Sequence, residues 1–272
     1  MMQNASSSPR TLWQDLFQPV VIVGALGYFV DIYDLILFSI VRQPSLKDIG
    51  ITNPDDLKNI GIYLLNTQMI GMLIGGILWG ILGDKKGRLS VLFLTILLYS
   101  LANIANGFVQ NINQYYVLRF IAGIGLAGEL GIGITMVSEV MSKEHRGYGT
   151  TLVSGIGIAG AVAAFGVTAL ANWRWAYFVG GGLGLILLVM RISVYESGMF
   201  AKAKSTSVSR GNFFQLFSKK NCLKFLKCIL IGVPVWYVIG IIVFLSPEIA
   251  KNGLHVKEEI VGGKAVMFHY IG

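Results

Sequence analysis

The sequence predicts an all-α integral membrane protein, and three observations support this fold class. Hydrophobic residues make up 54% of the 272 residues, and charged residues only 13%, about half the share that is usual in a soluble domain. Apolar runs of roughly 20 residues recur along the chain, and each can cross about 30 Å of hydrocarbon as a helix. Strands of a membrane β-barrel would instead be about ten residues long and alternate in polarity.

Seven apolar runs are each long enough to form a membrane-spanning helix. They cover residues 17–41, 59–83, 89–109, 113–140, 147–171, 174–195 and 222–247, and an eighth begins near residue 258. A polar segment rich in lysine and serine separates the sixth run from the seventh. We therefore divide the chain into a cytoplasmic tail (1–16), a six-helix unit (17–195), a basic cytoplasmic linker (196–221) and an incomplete second unit (222–272).

The distribution of basic residues predicts a cytoplasmic N-terminus. With that orientation, most lysines and arginines outside the spans lie on the inner side, among them Lys85, Arg88, Arg191 and those of the linker. Fewer lie on the outer side, among them Arg42, as the positive-inside rule requires. The basic linker is interpreted as a cytoplasmic loop rather than a nucleic-acid-binding segment. The expected location is the plasma membrane (the bacterial inner membrane), crossed several times.

The cysteines and histidines do not form a catalytic or metal-binding pattern. Cys222 and Cys228 are the only cysteines and lie near the start of one span, and the three histidines are scattered. A disulfide, a metal site and a cofactor are therefore not expected. Gly123, Gly125 and Gly128 match the spacing of a dinucleotide fingerprint, but they lie inside an apolar run without the strand that this motif needs. The sequence does not indicate an enzyme.

Two aspartates and a tyrosine lie inside the first span. Asp31 and Asp34 are three residues apart and therefore share one helix face, and Tyr33 adds a hydroxyl between them. A carboxylate in bilayer hydrocarbon costs at least a few kcal/mol, so intramembrane acids mark functional sites by default. We expect Asp31 and Asp34 to bind protons.

Arg119 in the fourth span is expected to face Asp34. Each residue lies about six or seven positions from the outer end of its span, which places both roughly 10 Å below the outer surface. A guanidinium at this depth offsets the desolvation of a carboxylate, and protonation of the acid would release it. Our hypothesis is that Asp34 binds the proton, with Arg119 as its partner or as a ligand for an anion, and that Tyr33 beside them binds the substrate. The alternative is a purely structural buried ion pair.

Glu129 lies ten residues further along the fourth span, about 15 Å deeper. This position is near the membrane midplane, where a substrate or a second proton site would lie. The alternative is a carboxylate held in helix packing.

The short loop after the second span resembles the signature loop of the major facilitator superfamily. It reads Gly80-Ile-Leu-Gly-Asp84-Lys85-Lys-Gly87-Arg88 and matches the family pattern Gly-x-Leu-Ala/Gly-Asp-Lys/Arg-x-Gly-Arg/Lys at every defined position. It also lies between the second and third spans, as in the family. The resemblance implies that these five numbered residues take part in conformational gating.

The fourth span extends this resemblance toward the inner side. Arg119 begins an Arg-x-x-x-Gly-x-Gly pattern similar to that of the family's fourth helix, and the match continues through Glu139 to Arg146, as in sugar porters. By the same resemblance, Glu139, Arg146 and Glu196 belong to a cytoplasmic charge network that latches the two halves of the transporter. The alternative is ordinary interfacial charge.

The resemblance implies a transporter fold of two six-helix halves that work by alternating access. This chain would hold the six-helix N-terminal half, helix 7 and the start of helix 8. The Asp31-x-Tyr33-Asp34 segment is similar to phosphate:proton and aromatic-acid:proton symporters, and Gly128-Glu129 to metabolite:proton symporters. The fourth span lacks the tyrosine and proline of the phosphate branch.

We therefore expect proton-coupled symport of a small anionic metabolite, a carboxylate or a phosphate, because an arginine in a dry site suits an anion. A sugar:proton symporter is the alternative. Members of the superfamily normally have twelve spans, so three further interpretations concern the chain's length: a fragment of a carrier, a shortened and inactive carrier, or a chain that self-associates. A membrane scaffold or sensor is a non-transport alternative. The expected partners are the substrate, protons and the lipid bilayer.

Overall fold

The computed structural model describes residues 11–86, 88–142, 144–196, 218–256 and 262–271, with all side chains except those of residues 86, 88–90, 130–140, 194–196, 219, 220 and 252. In these ranges the chain forms helices joined by short turns, with no strand, which confirms the all-α fold class. Five helices there are long and apolar enough to cross a membrane, namely those over Pro19–Asp48, Pro54–Lys85, Arg146–Leu170, Trp173–Ser193 and Asn221–Val243.

Seven long helices and several short segments follow one another along the chain. They are α1 (Leu12–Leu16), α2 (Pro19–Asp48), α3 (Pro54–Lys86), α4 (Arg88–Asn106), α5 (Ile112–Val140), α6 (Arg146–Leu170), α7 (Trp173–Glu196), α8 (Lys219–Tyr237), a π-helical stretch (Val238–Val243), α9 (Ser246–Glu248), a second π-helical stretch (Ile249–Gly253) and α10 (Gly262–Ile271). The seven predicted spans correspond to α2 through α8, and α10 lies in the predicted eighth.

The first span is longer than predicted. It was expected to end at residue 41, but α2 continues to Asp48 and includes Pro44. It stops where Gly50 adopts a φ of +95°, a conformation that glycine reaches without steric cost. The amide of Gly50 donates to the Lys47 carbonyl at 3.1 Å and that of Ile51 to the Leu46 carbonyl at 3.0 Å, which is the Schellman arrangement of a helix end.

The helix contacts indicate an internal two-fold relation between α2–α4 and α5–α7. The two most extensive packing pairs, α2 with α6 and α5 with α3, are equivalent under this relation, as are α2 with α7 and α5 with α4. The other close pairs, α4 with α7 and α2 with α5, each map onto themselves. Two three-helix repeats nested in a six-helix half are the architecture of transporter folds with inverted repeats.

Glycines allow α3 and α5 to approach each other at backbone distance. A Cβ at Gly71 of α3 would collide with the Phe120 carbonyl oxygen, and a Cβ at Gly123 of α5 would collide with the Gln68 carbonyl oxygen. Small residues at a membrane helix interface permit this approach. The contact matters for the site described below, because it brings Gln68 of α3 beside α5.

Of the described residues beyond 217, those that follow α8 make the main contacts with α2 and α6. The α10 helix packs on α6 and α2, and the Phe244 and Phe38 rings lie 6.4 Å apart between centroids. The apolar window of α8 is not buried inside the described structure. The domain division at 196–221 stays a prediction, since residues 197–217 lie outside the described ranges.

We expect Gly71→Ala to destabilise the protein by about 1–3 kcal/mol, because the added methyl group has to displace backbone at Phe120. Gly76→Ala is the matched control on the same helix, since a Cβ there meets no atom within 4 Å, and it should be neutral or slightly stabilising. Thermal unfolding of the purified variants in detergent measures both. Equal midpoints for the two variants would contradict the close packing of α3 and α5.

Candidate functional site

Arg119 is held inside the helix bundle by three amide side chains. Its guanidinium donates to Asn103 Oδ1 at 3.0 Å, Asn106 Oδ1 at 3.4 Å and Gln68 Oε1 at 3.4 Å, and the residue is only 1% exposed. Two of these amides come from α4 and one from α3. Neutral amides satisfy the N–H donors without neutralising the charge, so the positive charge of Arg119 stays available to an anion.

Three aromatic rings lie against the same guanidinium. Its carbon lies 4.9 Å from the ring centroid of Tyr177, 5.6 Å from that of Phe38 and 6.0 Å from that of Tyr115. A cation over aromatic faces is stabilised by the ring quadrupoles, more so where water is excluded. The Tyr115 and Tyr177 hydroxyl oxygens are 2.7 Å apart. These aromatics and amides were not identified from the sequence.

Asp34 lies beside Arg119, as predicted, but the two do not form the predicted direct ion pair. Both line one narrow crevice, together with Gln68, Tyr99 and Asn103. Among the described residues, neither carboxylate oxygen of Asp34 has a hydrogen-bond partner, although the Asn103 side chain lies close to it. The N–H groups of Arg119 instead donate to amide side chains of α3 and α4. The crevice has no room for a water molecule in this conformation.

Tyr33 has its hydroxyl directed away from this crevice. The hydroxyl donates to the Ala176 carbonyl of α7 at 2.9 Å, and the side chain is fully buried. Its ring and Asp34 Oδ1 both lie next to Gly180. In this conformation Tyr33 joins α2 to α7 and is not among the residues that line the Arg119 crevice. Its role as a substrate ligand stays a prediction.

Glu129 forms a buried ion pair with Arg191, a residue that we had assigned to the cytoplasmic side. Glu129 Oε1 and Arg191 Nη2 are 2.6 Å apart, and the two residues are 1% and 6% exposed. Arg191 lies near the C-terminal end of α7, and its side chain reaches into the bundle to meet α5. Sequence position alone could not show this, because a long side chain near a helix end can extend either to the membrane surface or inward.

Asp31 lies close to this pair and is 1% exposed. One turn earlier on α2, the absence of a side chain at Gly27 leaves space that Arg191 Nη2 and Glu129 Oε1 occupy. The buried Tyr99 of α4 is near Glu129 and also lines the Arg119 crevice. The two predicted proton-binding regions are therefore neighbouring parts of one cluster.

The buried acids outnumber the arginines in this cluster. Among the described side chains, Asp31, Asp34 and Glu129 face Arg119 and Arg191, and all five are buried. With every group ionised, the cluster would carry one uncompensated negative charge. An uncompensated buried charge is costly, and binding of a proton is the usual way to remove it.

The predicted gating residues on the inner side are only partly within the described structure. Asp84 and Lys85 are exposed at the end of α3, and a Cβ at Gly80 would meet no atom within 4 Å. Arg146 Nε donates to the Met141 carbonyl at 3.2 Å. Gly87 and the side chains of Arg88, Glu139 and Glu196 lie outside the described residues, so their gating role stays a prediction.

A contact between α1 and the turn that precedes α6 was not predicted from the sequence. Asp15 of α1 is 1% exposed, and its Oδ2 lies 2.7 Å from His145 Nδ1 and accepts from the Ser142 hydroxyl at 2.9 Å. This ties the N-terminal helix to the turn between α5 and α6.

The charge distribution had suggested that Arg42 lies exposed on the outer side. The structure instead buries its side chain in α2. Its Nη2 lies 2.5 Å from Glu248 Oε1 in α9, and its guanidinium lies 4.7 Å from the Phe244 ring centroid. Arg174 is partly exposed, and its Nη2 lies 3.0 Å from Asp48 Oδ2. In the described part of the chain, no group of three or more His, Cys, Asp or Glu residues could hold a metal ion.

Comparison with known proteins gives a consistent classification. The family model described as Major Facilitator Superfamily matches residues 24–269. A probable 4-methylmuconolactone transporter of Cupriavidus pinatubonensis is 30% identical over 202 residues, which cover 71% of this chain and 46% of that protein. A benzoate transport protein of Acinetobacter baylyi is 29% identical over 184 residues, 64% of this chain and 38% of that protein.

The fold is similar to solved structures of the xylose transporter XylE from E. coli. The structure of this proton:xylose symporter bound to 6-bromo-6-deoxy-D-glucose superimposes with a TM-score of 0.66 at 14% identity, covering 93% of this chain and 65% of XylE. At this identity the likeness shows the fold alone. The chain spans about half the length of the curated relatives that it matches.

We expect Asn103→Ala to destabilise the protein by about 1–3 kcal/mol, because Arg119 Nη2 would lose a buried acceptor. Asn59→Ala, at an exposed position of α3, is the matched control and should shift the unfolding midpoint little. Thermal unfolding in detergent measures both. An Asn103→Ala midpoint equal to that of the control would show that the amide cage does not stabilise Arg119.

Proposed function

Since the chain belongs to the Major Facilitator Superfamily, we propose that it transports a small anionic metabolite together with protons by alternating access. The observation that carries this proposal is the environment of Arg119, a buried cation that neutral amides bind. Beside it lies the Asp34 carboxylate, which has no hydrogen-bond partner in the described part of the chain. The family is one of transporters rather than enzymes, and the helices described above suit a multi-pass membrane protein.

The environment of Arg119 favours an anionic substrate. A carboxylate or phosphate forms its strongest hydrogen bonds with a guanidinium, and these bonds gain strength where water is excluded. The amide side chains of Asn103 and Gln68 can turn from Arg119 to the substrate, because each has both donors and acceptors. The names of two relatives, a benzoate transport protein and a probable 4-methylmuconolactone transporter, support a small organic acid as the first class to test. A sugar is the alternative, and the test below includes one.

The excess of buried acid supports coupling to protons. An anion that enters next to Asp34 would add a second negative charge to a cluster that already has one more acid than arginine. Protonation of Asp34 removes that repulsion and frees the positive field of Arg119 for the substrate. Substrate and proton would then bind together, which is the thermodynamic requirement for symport.

Alternating access accounts for the closed crevice. Since Asp34 and Arg119 are inaccessible in this conformation, the substrate can reach them only after helices separate. We assign that gating to the inner loop containing Asp84 and Lys85 and to the charges at Glu139, Arg146 and Glu196. The same proposal places the N-terminus in the cytoplasm and the chain in the plasma membrane.

We expect uptake of labelled benzoate or phosphate into proteoliposomes of this chain under an inward proton gradient. Arg119→Ala should reduce that uptake at least about tenfold, because it removes charged hydrogen bonds worth about 1.5–3 kcal/mol. Arg174→Ala is the matched control, since it removes an arginine that pairs with Asp48 outside the cluster.

Three outcomes would contradict the proposal. Equal uptake by Arg119→Ala and wild type would exclude the arginine as a substrate ligand. Uptake of labelled xylose but of neither anion would favour a sugar carrier. The absence of uptake of any solute by correctly folded chain would show that it does not transport on its own, as a truncated carrier or a scaffold would behave.

A further inference from the structure

Arg191 occupies a position from which it can reach two acids. Its guanidinium pairs with Glu129 of α5 at 2.6 Å. It also lies in the space left by Gly27 on α2. Asp31 is four residues beyond Gly27, one helical turn along the same face and about 5–6 Å away between equivalent atoms. A rotation of the arginine side chain is enough to cover that distance.

The groups that face this arginine come from every helix around it. Among the described side chains, Asp31 approaches from α2, Tyr99 from α4 and Glu129 from α5. Tyr99 is neutral over the physiological range of pH. Arg119, the other cation of the cluster, donates to amides at the opposite end of the crevice. Glu129 and Asp31 are therefore the two acids that compete for Arg191.

We propose that Arg191 is a positioning residue for proton coupling, which pairs with Glu129 while that acid is ionised and moves to Asp31 when Glu129 is protonated. This inference rests on the proposed function and names the counter-ion that it uses. A proton that binds Glu129 neutralises it and leaves the arginine without a charged partner. A buried arginine without a counter-ion is strongly destabilising, and Asp31 is the nearest acid able to replace Glu129.

The exchange gives protonation a mechanical consequence. The pair with Glu129 joins α7 to α5, whereas a pair with Asp31 joins α7 to α2. The α7 helix packs directly on α2 and on α4, which in turn packs on α5. A proton would thus change which helix of the bundle holds α7, and small shifts at a packed interface can select between two discrete arrangements.

The exchange predicts an unequal response to single substitutions and a strong response to one pair. Glu129→Gln should lower the thermal midpoint only slightly, because Arg191 can move to Asp31, and Asp31→Asn should also be mild. Glu129→Gln combined with Asp31→Asn leaves Arg191 with neither acid. We expect the double variant to fall at least about 5 °C below the sum of the two single shifts. Glu129→Gln with Asp48→Asn is the matched control and should be additive, because Asp48 pairs with Arg174 and not with Arg191.

A static ion pair predicts a different pattern. Glu129→Gln alone would then cost as much as Arg191→Gln, and Asp31→Asn would add nothing beyond its own effect. Additive shifts in the Glu129 and Asp31 double variant would overturn the proposal. The measurement needs only folded protein in detergent, so its result stands whether or not the chain transports.

A second readout separates positioning from stability. Gly27→Ala places a methyl group where Arg191 lies, whereas Gly182→Ala on α7 meets no atom within 4 Å. An infrared titration that follows the carbonyl band of buried protonated carboxyl groups should show protonation at a higher pH in Gly27→Ala, because the displaced cation no longer favours the ionised acids. Gly182→Ala should titrate as wild type does.

The carbonyl band should shrink in Glu129→Gln, and this loss would assign part of the band to the protonated carboxyl group of Glu129. Identical titrations of Gly27→Ala and wild type would contradict the role of Arg191. In proteoliposomes, the pH at which proton-driven uptake falls should rise in Gly27→Ala by the same amount. Absence of uptake in all variants, together with a shifted infrared titration, would refute the transport function while leaving the counter-ion exchange supported.

Discussion

The free-energy cost of burying charge is the constraint on which this structure depends. Three acids and two arginines lie inside the helix bundle with almost no exposed surface, and each would be strongly unfavourable alone. Two different solutions appear side by side. Arg191 is neutralised directly by Glu129, whereas Arg119 donates hydrogen bonds to neutral amides and keeps its charge. The first solution favours a stable, closed arrangement, and the second leaves a charge for a ligand to satisfy.

Helix packing determines where these groups meet. Glycines bring α3 and α5 to backbone contact, which places Gln68 beside Arg119, and Gly27 admits the arginine of α7 to the face of α2 that carries Asp31. The repeat relation between α2–α4 and α5–α7 places the first helix of each repeat at the centre, and those two helices carry all three acids. The acids and the packing residues are thus parts of one arrangement, in which a change of charge acts on helix contacts.

The sequence predicted the helices and the intramembrane acids because apolar runs and charges inside them are local features. It also predicted that Asp34 and Arg119 lie close together, since depth follows from counting residues along each span. It could not predict that Arg119 donates to amide side chains. Asn103 and Gln68 are ordinary polar residues in the sequence, and only the rotation of each helix about its axis decides which side chains face Arg119. Arg191 was misplaced for a related reason, since its position near a helix end suits the membrane surface equally well. The end of α2 was mispredicted because it depends on the left-handed conformation of Gly50, which a hydropathy pattern cannot indicate.

Substitution of Asp34 by asparagine tests the central claim most directly, because it fixes this acid in a neutral, isosteric form. The measurement compares accumulation of a labelled anion driven by a proton gradient with exchange of labelled for unlabelled anion across the same proteoliposomes. If Asp34 is the proton site beside Arg119, Asp34→Asn should lose accumulation and retain exchange, since exchange needs no net proton movement. Accumulation equal to that of wild type would contradict the account.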